Sequence, residues 1–349
     1  MIARTGSPNA EPKPGPAFPL FTLTAMLLLQ GTFRSGTTTF FRTLRRDDRL
    51  RCFYEPLHPN LVGHVQDACA RSPSHPKSPL YAEYVPGLDA LETRLGTEPT
   101  SWPRSLAEAD AAPALAAHLR ALCRPPFLEP PTAPGAVLVP FLQCNRAFWM
   151  APWLARTFPD ALFVHLVRDP RSVVWSQLTT SSGRVRMDWP LLGRTLPVSS
   201  GRSRHAFSEH AYFGAYELDA HFEAGRRRLH SAPDDASGKA ALRRLDAVQE
   251  ALPYVKALAV WGAQVETCWR TARAAFGDRY LQLRYEDFCA ASGDALRTLY
   301  DAMGRSLPDA VRDYARHSVD PARRRWADVS SGEARFRDGI RQAQLDPLM

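Results

Sequence analysis

Apolar residues along this chain gather in short blocks rather than in strict alternation. Blocks at 26–30, 136–142, 162–168 and 280–285, and a weaker one at 51–54, have the length and flanks of strands buried on both faces. Helical patterns separate them, for example 149–157 ahead of the third block and 254–276 ahead of the last. Strands alternating with helices predict an α/β fold: a central parallel sheet of about five strands with helices on both faces. Regions 60–135 and 183–250 break the rhythm. Both are rich in Pro, Ser, Gly and charge, with a helical piece at 106–122. They are expected to be largely helical insertions that cover the C-terminal edge of the sheet. Residues 1–16, with Pro8, Pro12, Pro14 and Pro16, read as a disordered tail, leaving 17–349 as one domain.

The first block stops abruptly. Residues 26–40 read MLLLQGTFRSGTTTF, an apolar run, a turn bracketed by Gly31 and Gly36, and a restart as a helix. This is a phosphate-binding loop in outline, and it points to a P-loop-like fold. The spacing matches G-x-x-x-x-G-K-[ST] except at the Lys, where Thr37 stands. The nearest cation is Arg34, inside the loop. A nucleotidase uses the missing Lys on the terminal phosphates, so the loop is built for a phosphate-like anion but not in an ATPase's manner.

A second block ends in chemistry. Residues 163–178 read FVHLVRDPRSVVWSQL, in which Pro170 suits the first turn of a helix and Ser176 lies on that helix. Arg168 at the strand end and the Ser176 hydroxyl can converge on a second anion. Arg168 can instead pair with Asp169 to cap the helix, or Asp169 can serve as a magnesium carboxylate, which would call for the absent Lys.

The formal charge is +8, and Lys fills only four of the 44 cationic positions, at 13, 77, 239 and 256. Arg forks suit planar anions. A basic chain can serve nucleic acid, an anionic membrane or small anions, but no basic run interleaved with aromatics favours nucleic acid. Six scattered cysteines form no C-x-x-C and read as reduced thiols rather than a metal site. The apolar segment 17–30 contains Pro19 and falls short of the roughly 20 residues that span a bilayer. With no signal-peptide pattern, the expectation is a cytoplasmic protein without a membrane span.

Together, Arg34-Ser35-Gly36-Thr37-Thr38, Arg168-Asp169-Pro170-Arg171 with Ser176, and Arg284-Tyr285-Glu286-Asp287 resemble the sulfotransferases that use 3′-phosphoadenosine 5′-phosphosulfate (PAPS). The likeness extends to Trp261-Gly262-Ala263-Gln264-Val265 and to Arg324-Arg325-Trp326, and covers about 26–56, 136–182 and 255–330. It implies PAPS as co-substrate, bound by Arg34, Ser35, Gly36, Thr37 and Thr38 at the 5′ end and by Arg168 and Ser176 at the 3′-phosphate. Arg325 is a further cofactor contact, and Tyr285 either meets the adenine or only packs. Sulfuryl transfer needs no metal, because the group carries one negative charge fewer than phosphoryl. The missing Lys is then expected. Thr37 and Thr38 are also expected to cap the helix.

The acceptor hydroxyl needs a base. Glu55 stands at a strand's C-terminal end beside the first loop, where α/β active sites lie. His58, three residues on, is the other candidate. The Tyr54-Glu55-Pro56-Leu57 segment resembles carbohydrate sulfotransferases acting on 6-hydroxyls, and the Glu-to-loop spacing resembles tyrosylprotein sulfotransferases. The acceptor expected is a carbohydrate, with a tyrosine or a secondary-metabolite hydroxyl as alternatives. Many relatives carry a catalytic Lys where this chain has Arg146, which is either its replacement or a surface cation. A kinase, or a non-catalytic anion-binding module, are the rival readings.

Overall fold

The computed structural model describes residues 26–70, 77–96, 112–128, 138–178, 184–187, 195–197, 211–212, 218–231, 236–320 and 340–343. The first half runs β1 (Met26–Gly31), α1 (Thr37–Leu44), β2 (Leu50–Tyr54), α2 (Leu61–Cys69), a 3₁₀ segment (Ser78–Gly87), α3 (Leu88–Leu95) and α4 (Ala112–Ala121). It continues with β3 (Val139–Cys144), α5 (Ala151–Thr157), β4 (Ala161–Val167), α6 (Pro170–Leu178), β5 (Arg184–Met187), β6 (Thr195–Pro197) and β7 (Ala211–Tyr212). The last part holds α7 (Leu218–His230), α8 (Ala236–Ala247), α9 (Pro253–Phe276), β8 (Tyr280–Arg284), α10 (Tyr285–Ala290), α11 (Ser292–Ala302) and α12 (Asp309–Ser318).

Five strands form one parallel sheet in the order β2-β3-β1-β4-β8, as the block pattern predicts. β1 is central, so its side chains are buried on both faces, and Leu27, Leu28 and Leu29 are almost fully covered. This is why it reads as a continuous apolar run. The third strand starts three residues later than the apolar block and runs on through Gln143 and Cys144. Polar Gln30, next to last in β1, is buried in the core with both ends of its amide used. Its Oε1 accepts from the Ala147 N–H at 3.0 Å and its Nε2 donates to the Gly31 carbonyl. α1 packs on β1 and β2 and against α12; its Phe40 and Phe41 are fully buried. α9 lies along β4 and β8 and gathers α5, α6, α7 and α8.

The insertions differ in part from expectation. The first supplies α2, the 3₁₀ segment, α3 and α4, of which the 3₁₀ segment packs against β2. The second contains, besides α7 and α8, a small antiparallel sheet ordered β6-β5-β7 that the composition did not reveal. Its strands are two to four residues long, too short for a period-2 signal. The chain leaves β1 toward β2 and later crosses to β4 on the other side. The carboxyl ends of β1, β2, β3 and β4 therefore surround a topological switch point, where ligands of open α/β sheets bind.

Candidate active site

The first loop is shaped by two glycines. A Cβ on Gly31 would lie 2.5 Å from Ser35 Oγ and 2.6 Å from Thr37 Cγ2, so the strand exit and helix entry touch only because it is glycine. Gly36 has φ 95°, and a Cβ there would lie 2.1 Å from the Tyr285 ring. It is the N-cap of α1 and makes no side-chain cap hydrogen bond. The capping expected of Thr37 and Thr38 is therefore not found. The Thr37 hydroxyl donates to Asn145 Oδ1 at 3.1 Å, and the Thr38 hydroxyl shares a 2.8 Å hydrogen bond with the Tyr54 hydroxyl. Both start the helix itself, where their backbone N–H groups are among the unsatisfied donors that favour an anion. The Ser35 hydroxyl is buried without a hydrogen-bond partner.

Arg34 takes φ 72°, a left-handed backbone unusual for a side chain with a Cβ. Its Nε donates to Ser176 Oγ at 2.7 Å, joining the two segments read from sequence. Arg168 Nη1 donates to the Arg34 carbonyl at 3.0 Å, and its guanidinium lies 4.7 Å from the centre of the Tyr285 ring. Asp169 forms a two-pronged pair with Arg171, with Nη2 to Oδ2 at 2.6 Å, and Arg168 reaches the loop. Tyr285 is 1% exposed beneath Gly36 and Arg168, so it supports the loop from below rather than offering an open stacking face.

Glu55 follows β2 and is the second non-glycine residue in the left-handed region, at φ 47°. Such conformations cost roughly 1–3 kcal/mol and persist only where surrounding contacts dictate them. Here the Glu55 N–H donates to the Gln143 carbonyl at 2.9 Å, extending the β2–β3 ladder by one step. The buried carboxylate accepts from Asn145 Nδ2 and from Arg146 Nη1. Arg146 is no surface cation. It is 5% exposed, with its guanidinium 4.9 Å from the Phe33 ring centre. Asn145 is the hub: its Oδ1 accepts from Thr37 and from Gln143 Nε2, while its Nδ2 holds Glu55. One chain of hydrogen bonds thus runs from the phosphate loop to the candidate base.

His58 is tied to Glu55 through its backbone, its N–H donating to the Glu55 carbonyl at 2.9 Å. Its Nδ1 accepts the Asn60 N–H at 3.0 Å, and its ring stands edge-on to His64, which stacks on Tyr81 at 4.9 Å. His165, placed mid-strand by sequence, is a core residue hydrogen-bonded to the Tyr280 hydroxyl, and burial pulls its pKa down to about 3. Arg325 and the Arg324-Arg325-Trp326 motif lie outside the described residues. His221 packs edge-on against Phe33.

Three contributors escaped the sequence reading: Asn145, Tyr54 and Lys77. Asn145 and Tyr54 sit beside residues that were singled out, and the exits of β3 and β2 could have been read as whole units. Lys77 comes from the first insertion and had no such signal. Its ammonium lies 5.9 Å from the Tyr54 ring centre and in the field of Glu55, Arg34, Arg146 and Arg42.

Among the described residues no group of three or more His, Cys, Asp or Glu could hold a metal ion, and no helix is long and apolar enough to cross a membrane. None of the six cysteines is in a disulfide. A comparison with curated proteins found no match. Among solved structures, the sulfotransferase domain of the Synechococcus PCC 7002 olefin synthase is similar at 14% identity, covering 91% of this chain and 93% of that one, with a TM-score of 0.41. Sulfotransferase STF1 of Mycobacterium tuberculosis H37Rv is similar at 14% identity, over 90% and 77%, with a TM-score of 0.39. Sulfotransferase STF9 of Mycobacterium avium is similar at 13%, over 92% and 77%, with a TM-score of 0.40. A sequence model of the sulfotransferase family matches residues 27–215, more than half of the chain and the stretch that holds Arg34, Glu55, Arg146, Arg168 and Ser176. The chain belongs to the sulfotransferase family.

Proposed function

We propose that the protein transfers a sulfuryl group from PAPS to a carbohydrate hydroxyl, with Glu55 as general base. The family implies the donor, and the site fits it. A glycine cradle with no room for a Cβ, an unpartnered buried Ser35 hydroxyl and the N-terminus of α1 suit the 5′ end. Arg168 and Ser176, with Arg34 between them, suit the 3′-phosphate. Arg325 is proposed as a further contact there.

The observation that carries the reading is the Thr37–Asn145–Glu55–Arg146 chain. It holds a carboxylate at fixed distance from the loop that cradles the sulfur-bearing group. Asn145 and Arg146 each occupy one oxygen of Glu55, and a carboxylate has about four acceptor positions. Glu55 therefore keeps capacity for the acceptor's O–H. It takes that proton as the acceptor oxygen bonds to sulfur and the sulfur–oxygen bond to the 5′-phosphate breaks. 3′,5′-ADP leaves with the electron pair. Arg34 and the loop N–H groups meet the charge that develops on the departing oxygen. One such donor is worth about 3–4 kcal/mol elsewhere. Arg146 orients Glu55, and Tyr285 supports Gly36 and Arg168.

The carbohydrate class is supported by the Tyr54-Glu55-Pro56-Leu57 likeness and the Arg-rich chain. An acceptor screen with labelled PAPS, offering galactosides, N-acetylglucosaminides, tyrosine peptides and hydroxylated small molecules, tests it. Labelling of only the peptides or small molecules would replace the carbohydrate. Glu55→Gln with normal turnover would remove Glu55 from the role.

A further inference from the structure

The reaction end of the site holds a cation that neither the family match nor the motifs assign. We propose that Lys77 is a catalytic residue, its ammonium touching the sulfuryl oxygens of the donor during transfer. The assignment rests on the donor reading above.

The backbone of Lys77 is fixed. Its carbonyl accepts the Leu80 N–H at 2.8 Å as the 3₁₀ segment begins, and the next residue, Ser78, is fully buried with its hydroxyl bonded to Asp67. From this anchor the side chain reaches the Tyr54 ring, whose hydroxyl holds Thr38 in the first turn of α1. Lys77 therefore lies on the Glu55 side of the loop, where sulfur must sit if Glu55 is the base.

The surrounding charge points the same way. Burial is the strongest influence lowering its pKa; Arg34, Arg146 and Arg42 act in the same direction, and Glu55, which Arg146 already holds, opposes them. Concentrated like charge is unfavourable until an anion enters. A chain that uses Lys at only four of 44 cationic positions has placed one here. A compact ammonium with three rotatable donors can follow a sulfuryl group as it moves from one oxygen to another, which a rigid fork does less well.

PAPS carries the sulfuryl group and 3′,5′-ADP does not, so the pair isolates the contact. Calorimetric titration of the full chain, of Lys77→Met and of Lys77→Arg with each nucleotide tests it. Lys77→Met is expected to weaken PAPS binding about tenfold, the scale of one charged hydrogen bond, and to leave 3′,5′-ADP binding within about twofold. Lys77→Arg should restore most of the PAPS affinity. Unchanged PAPS binding, or equal loss for both nucleotides, would overturn the assignment while the donor reading stands. A wild-type protein that binds neither nucleotide would overturn both. If Lys77→Met does not fold, Lys77→Gln makes the same comparison.

Discussion

The two ends of the site are built differently. At the end proposed for the reaction, Glu55, Asn145, Arg146 and Thr37 are buried and cross-braced. At the end proposed for the nucleotide, Arg34 is exposed and Arg168 and Ser176 are partly so, with Arg34 donating to Ser176 and Arg168 to the Arg34 carbonyl. Proton transfer and in-line attack need atoms placed closely, whereas the donor must enter and its product must leave on every cycle. Under the proposed function, burial is concentrated where bonds would change and exposure where a ligand would exchange.

Separating the two ends is the sharpest way to test that difference. Glu55→Gln is expected to reduce turnover by about 10²–10⁴, the range for a positioned base, and to leave 3′,5′-ADP affinity within about twofold. Radiolabel transfer and calorimetry measure the two arms. A comparable loss in both would mean that the ends are one unit. Arg146→Ala should lower stability by about 3–5 kcal/mol by leaving the Glu55 carboxylate buried without its cation. Denaturant unfolding measures it, and a change below 1 kcal/mol would show that the reaction end is not braced by this pair. Arg168→Ala should weaken 3′,5′-ADP binding by roughly 1.5–3 kcal/mol, with little effect on unfolding.

The smallest effect concerns acidity. His118 on α4 is buried, with Nε2 3.0 Å from the Pro56 carbonyl just beyond Glu55, and desolvation draws its pKa down to about 4. Its folded value lies below the unfolded one, so the unfolded chain binds the proton first. Stability from this group is complete above about pH 6.5 and is lost as the pH falls toward 4. Buried His165 acts in the same sense, with a limit nearer 3. His118→Asn should flatten part of this acid limb in thermal melts; an unchanged limb would assign it elsewhere.

Much of this arrangement was legible in the chain. The apolar blocks located all five parallel strands, because strands buried on both faces announce themselves. Gly31, Gly36, Arg34, Arg168 and Ser176, singled out by residue type and spacing, are brought together in the structure. What stayed hidden depends on convergence of distant segments. Asn145 meets Thr37 across 108 positions and Glu55 across 90. Lys77 enters from an insertion whose composition said only that it was irregular. The Asp169–Arg171 pair was equally invisible, since it is decided by the geometry of the turn into α6.

Arg34 carries a last consequence. Its left-handed backbone is a conformation that glycine adopts freely and that costs other residues roughly 1–2 kcal/mol. Folding alone would therefore tolerate or prefer glycine at this exposed position. A laboratory selection for heat resistance, blind to sulfuryl transfer, should drift toward Arg34→Gly and return sturdier proteins with little turnover. Under the proposed function, the strained arginine trades durability for work.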